Sequence, residues 1–270
     1  MNTKKPKNIL EIFKLLEKSN CRQCGEKTCL AFAQAVFMGN KPPEACPKLD
    51  GLTIELLTRN PEDLQTIEKN GYEYLTKLKG CISGIDLASA AKRIGAQFSD
   101  NKLTLKVLGK DFSVDKNGDF AADIHINPWI GVPYLNYVLY GQGITPCGEW
   151  VSFRELQGGR ERYLLFHRRC ELSLRNIADT HTSFFDDMIH LFGGKQVQKK
   201  FKSDISVVLQ VLPRIPLMIC YWYPEDGIES GLHIFFDKTA DRNLDIDSID
   251  TLVLGLTHMF TKLTLRHGAK

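Results

Sequence analysis

Ile9, Ile12, Phe13 and Leu16 recur at the spacing of one helix face, and Lys and Glu fill the other. That pattern predicts an amphipathic helix over residues 8–18, with Asn20 as its stop. A second helix is expected over "TCLAFAQAVFMGN", with Leu30, Ala33, Val36 and Phe37 on one stripe and Gly39 at the C-cap. "KPP" then forces a non-helical return. After Asp50, "GLTIELLTRNPEDLQTIEKN" reads as a connection with some helix, and residues 71–95 as largely helical, broken at Gly80 and Gly84. Leu103, Leu105 and Val107 alternate with polar residues, and "GKD" and "KNGD" mark turns, so a small antiparallel meander is expected there.

"WIGVPYLNYVLYG" and "ADTHTSFFDDMIHLFGG" read as helices, the latter ending at Gly193–Gly194. "DISVVLQVL", "IPLMICYWY" and "LHIFFD" read as strands, with Pro213, Pro216 and "PEDG" shaping the turns. A closing helix carries Ile249, Leu252, Val253, Leu256, Phe260 and Leu263 on one stripe, with Asp247 as candidate N-cap. Strands and helices do not alternate regularly, so the fold class is α+β. The expected organisation is a small, mostly helical module over residues 1–60 and a larger α+β domain with antiparallel strands over 61–270.

Composition changes this picture little. Hydrophobic content of 43% and charged content of 25% suit a globular chain with a real core. No apolar run approaches the roughly 18 residues of a membrane-spanning helix. Glu11, Lys14 and Glu17 interrupt any signal-peptide core, so the expected compartment is the cytoplasm. The net charge of +3 is too small to argue for nucleic acid. It is unevenly placed, however: residues 1–50 hold nine Lys/Arg against five Asp/Glu, and the rest hold 26 against 27. A basic segment suits an anionic centre.

That segment also carries the chemistry. Cys21, Cys24, Cys29 and Cys46 follow the pattern C-x2-C-x4-C-x16-C-P. In a reducing compartment, clustered thiols bind metal or do redox chemistry more often than they form disulfides. Four thiolates can hold zinc or an iron–sulfur cluster. Structural zinc draws on two C-x2-C knuckles, whereas three thiols in one loop and one apart, before proline, suit the corners of a cubane. Gly25 gives the loop freedom, Cys29 stands at a helix start, and Arg22, Lys27 and Lys48 are candidates to add positive field.

"CRQCGEKTCLAFAQAVFMGNKPPEACPKL", Cys21 to Leu49, resembles the [4Fe-4S] module of the corrinoid iron–sulfur protein large subunit of acetyl-CoA metabolism, and that of the Rnf complex B subunit. The resemblance implies that Cys21, Cys24, Cys29 and Cys46 ligate a [4Fe-4S] cluster that passes single electrons. It also implies an anaerobic source and a redox protein partner, with a corrinoid or methyl-transfer system among the candidates. Features such as "VSFRELQGGRERYLLFHRR", "LFGGK" and "LQVLPRIPLMICYWYPEDG" resemble the domain-of-unknown-function 3786 family, which brings no known activity. "DIHINP" from Asp123 and "DTHTSF" from Asp179 approach the corrinoid-binding D-x-H-x-x-G but lack its glycine, and read as coincidence.

The other candidates are weaker. Cys220 reads as core, and Cys147 as a thiol without a paired base. Glu225, Asp226, His233 and Asp237 could gather into a pocket or metal site, although an acidic turn explains the first two more simply. Arg160, Arg162, Arg168 and Arg169 could bind an anion but suit solvated edges better. No phosphate-binding glycine loop, H-E-x-x-H or nucleophile elbow is present. The expected function is single-electron transfer through an N-terminal cluster. Two alternatives stay open: a redox enzyme with its site in residues 61–270, and a non-redox binding protein in which cluster or zinc is structural.

Overall fold

The computed structural model describes residues 6, 8–38, 40–58, 61–181 and 183–267. Helices α1 (Ile9–Lys14), α2 (Cys29–Phe37) and α3 (Gly51–Thr58) surround the cysteine loop, and one 3-10 turn, Pro43–Ala45, precedes Cys46. Next come α4 (Pro61–Ile82) and α5 (Leu87–Ile94). The meander follows as β1 (Gln97–Ser99), β2 (Lys102–Val107), β3 (Lys110–Asp115) and β4 (Phe120–Ala122), paired in that order and antiparallel. Leu103, Leu105, Val107, Phe112 and Val114 turn their shared face inward, as a two-residue period requires.

Helix α6 (Pro128–Tyr140) leads to β5 (Trp150–Ser152) and then to a long helical segment: α7 (Tyr163–Phe166), a π-helical turn at His167–Glu171, and α8 (Leu172–Thr180). After α9 (Phe184–Phe192) come β6 (Lys195–Gln196), β7 (Ile205–Leu212), β8 (Ile215–Trp222) and β9 (Gly231–Asp237). These form a second antiparallel sheet in the order β5-β9-β8-β7-β6. Helices α10 (Ala240–Asn243) and α11 (Ile246–His267) close the chain. With helices beside two antiparallel sheets, the architecture is α+β.

Buried apolar side chains fall into two clusters. One joins Ile12, Leu16, Phe32, Ala33 and Leu49 with Ile54 and Leu57 of α3. The other runs from Leu75 to Phe260 and packs α4, α5, α6, α8 and α11 against both sheets.

Several local expectations need correction. Residues 51–58 and 61–82 are regular helix rather than a loose connection, and Gly80 sits inside α4 without breaking it. Nothing lies within 4 Å of the position a β-carbon would take at Gly80, so its cost to the helix is entropic only. On α2 the buried pair is Phe32 and Ala33, and Leu30 and Phe37 are 45% and 44% exposed. Gly39 lies outside the described residues. Pro216 is the second residue of β8, opposite Gln210 beside a register shift, rather than a turn residue. Asp245, not Asp247, caps α11, because its carboxylate accepts the Ser248 N–H; Asp247 lies exposed in the first turn and pairs with Arg162.

Candidate metal centre

The cysteine loop is built by left-handed backbone. Lys18, Asn20, Arg22 and Gly25 all have positive φ, the last +81°. The loop therefore folds back tightly between α1, which ends at Lys14 rather than near Asn20, and α2. Asn20 fastens the loop instead of ending a helix. Its side-chain Oδ1 accepts the Cys29 N–H at 2.8 Å, and its own N–H points to Cys29 Sγ at 3.4 Å. Thr28 caps α2 by accepting the Ala31 N–H. Lys41 clamps the other side through the Cys24 carbonyl at 2.8 Å and Glu26 at 2.7 Å.

Cys21, Cys24, Cys29 and Cys46 line one small cavity, together with Leu16, Asn20 and Phe32. All four thiols are free and half-buried. Burial pushes the Cys46 thiol up, and the nearby Cys24 and Cys21 sulfurs add to that; N–H groups of Lys48 and Leu49 act against it. The four thiols thus border one cavity, two of them with backbone N–H groups at hand, a donor set that an iron–sulfur core could use. Among the described residues, the one group of three metal-donor atoms within 4.8 Å of one another is elsewhere, at His167, Glu171 and His233.

Of the three cations expected to add field, Lys48 is already paired. It bridges Glu17 at 3.1 Å and Glu229 of the loop before β9, and these two bonds hold its proton more tightly. Arg175 of α8 faces the same two carboxylates at 4.0 and 3.5 Å. Asn176 donates to Asp50 at 3.4 Å. A β-carbon at Gly51 would lie 2.8 Å from the Arg169 backbone, so glycine alone lets α3 meet the π-turn this closely. The cysteine module is therefore docked on α8, the π-turn and the start of β9.

The weaker candidates do not assemble as the sequence suggested. Glu225 and Asp226 are exposed in their turn. Asp237 is fully buried, and accepts the Cys147, Gly148 and Thr239 N–H groups as a tie between loop and strand. Only His233 of that set turns toward other donors. Cys147 is exposed with its Sγ 3.6 Å from Asp237, while Cys220 is buried as expected. Arg162 pairs with Asp247, so it does not join Arg168 and Arg169 of the π-turn in an anion site. Asp179 accepts the Tyr221 and Ser230 hydroxyls, a structural role.

A larger cavity of about 790 Å³ lies between α4, α6 and the start of α11. Tyr72, Trp129, Tyr140, Arg242 and Lys262 line it. So does Asn136, which is buried; its Nδ2 donates to Ser248 and its Oδ1 has no hydrogen-bond partner. None of the lining residues is among those that dock the module.

Comparison with known proteins matches each part separately. A family model described as "Putative Fe-S cluster" matches residues 16–48. One described as "Domain of unknown function (DUF3786)" matches residues 86–259. Among curated proteins, the acetyl-CoA decarbonylase/synthase complex subunit gamma of Methanopyrus kandleri is 44% identical over 50 residues, 18% of this chain and 11% of that protein. The corrinoid/iron-sulfur protein large subunit of Moorella thermoacetica is 42% identical over 52 residues, 19% of this chain and 12% of that one. The chain thus spans about a ninth to an eighth of the curated relatives it matches. No solved structure matches it.

Proposed function

The chain belongs to the DUF3786 family and carries an iron–sulfur cluster-binding region at residues 16–48; from that premise we propose that it is a single-electron carrier built on a [4Fe-4S] cluster. Cys21, Cys24, Cys29 and Cys46 are the ligands in this reading, and residues 1–60 the module that holds them. The observation that carries this reading is that four thiols border one cavity, with backbone N–H groups at Cys29 and Cys46.

When bound, the cluster supplies one-electron exchange. The chain's own part is to lower the cost of the added charge. The Asn20 N–H at Cys29, and those of Lys48 and Leu49 at Cys46, donate to the ligating sulfurs. The partner in this reading is another protein of an acetyl-CoA or corrinoid-linked redox system, by likeness to the two relatives. Iron and sulfide counting on protein purified without air, with EPR after dithionite, tests the proposal. About four of each per chain and a reducible signal are expected; one zinc and no sulfide would overturn it.

The second reading, a redox enzyme, is favoured by the 790 Å³ cavity and its partnerless Asn136 Oδ1. In that case a small molecule alone reoxidises the dithionite-reduced cluster, and Asn136→Leu slows that step. In a pure carrier, Asn136→Leu leaves the reoxidation rate unchanged.

A further inference from the structure

Glu171 is 1% exposed, yet three side chains converge on one of its oxygens. His167 Nδ1 lies 2.6 Å from Oε2, His233 Nδ1 3.3 Å, and the Tyr163 hydroxyl donates to it at 3.3 Å. Oε1 accepts the Ile234 N–H at 2.9 Å. That N–H is free because β5 stops at Ser152, opposite Phe235, and leaves the next step of β9 unpaired by strand. The carboxylate is thereby fixed in place by backbone, with its second oxygen turned toward two imidazoles.

The local structure is unusual in the right place. His167 and Glu171 bound the π-helical turn, a widening of the helix that recurs at functional sites. His233 comes from β9, on the face opposite Leu232, Ile234 and Phe236, which enter the core. The side chains of His167 and His233 are 32% and 45% exposed, so the trio is open to solvent on one side. Burial pushes the Glu171 carboxyl up, but the two imidazoles outweigh it and hold it below the usual range. The Glu171 carboxylate in turn raises His233.

We infer that His167, Glu171 and His233 form a binding site for one divalent transition-metal ion of zinc or ferrous type. Their donor atoms all lie within 4.8 Å of one another, and one helix and one strand supply them. Two imidazoles and one carboxylate are the donor types that borderline metals take, and three protein ligands leave positions for water or substrate. The ion would take the place of the direct contacts between the imidazoles and Glu171. Tyr163 would orient the carboxylate from outside. None of the three ligands lines the cysteine cavity.

The test is zinc titration of the full chain with its iron and sulfide already in place, by calorimetry and by metal counting after gel filtration. One zinc per chain is expected in addition to the iron. His167→Ala and His233→Ala should each weaken it by more than about ten-fold, and Tyr163→Phe by about that much. Iron and sulfide counts should not change in any variant. Circular dichroism melting confirms that each variant is folded, and the two half-exposed histidines tolerate truncation better than Glu171 would. No zinc uptake by the iron-loaded wild type, or wild-type affinity in a folded His167→Ala/His233→Ala variant, overturns the inference.

Discussion

Seven buried apolar side chains hold residues 9–58 together, whereas one continuous cluster from Leu75 to Phe260 fills the rest of the chain. The difference is one of scale: a core that small does not offset the entropy of ordering its chain. The module compensates in two ways, by docking through Glu17, Lys48, Asp50 and Gly51, and by converging four thiols where a cluster can tie them. The larger region needs neither. On the reading proposed above, cluster binding would supply folding energy to the first part and far less to the second.

The sharpest way to break that contrast is Cys46→Ala. It should abolish the cluster or leave a three-iron form, and hydrogen exchange over residues 8–58 should rise while residues 87–264 stay protected. A full four-iron centre in this variant would refute the ligand set. Next in size, Phe32→Ala and Phe236→Ala should each cost about 3–5 kcal/mol, since both rings are fully buried. The first loss should appear as early opening of the module, the second as a lower melting point of the whole domain in calorimetry.

The docking pairs come third. Lys48→Ala should loosen the module by about 1 kcal/mol, because Glu229 is largely exposed. Hydrogen bonding from Lys48 holds the Glu229 carboxyl below its ordinary value. The contribution is thus full above about pH 4.3 and fades as pH falls through the lower folded value, which an acid titration of module exchange rates would follow. Last, Leu30→Ser should change stability by less than about 0.5 kcal/mol, since that side chain faces solvent.

The contrast between Leu30 and Phe32 also marks the limit of what the sequence makes legible. Both fit a helical stripe, and periodicity does not say which of two apolar faces a nine-residue helix will bury. Long patterns fared better. The strands from Ile205 to Asp237 and the closing helix have enough repeats to set their faces, and the cysteine spacing points to an iron–sulfur region, as the match at residues 16–48 bears out. Short edge strands such as β1, β5 and β6 were missed, because two or three residues carry no period. The His167–Glu171–His233 group was half visible. His233 is a candidate beside Glu225, Asp226 and Asp237 in the sequence, but its partners lie 62 and more residues away and meet it only through the packing of the π-turn on β9.

Glu229 lies two residues before β9 and His233 on it, while Glu171 and Arg175 stand one helical turn apart. The latch that seats the cysteine module and the trio of donors thus stand on the same two stretches of chain, one strand with its approach and one helix with its widened turn.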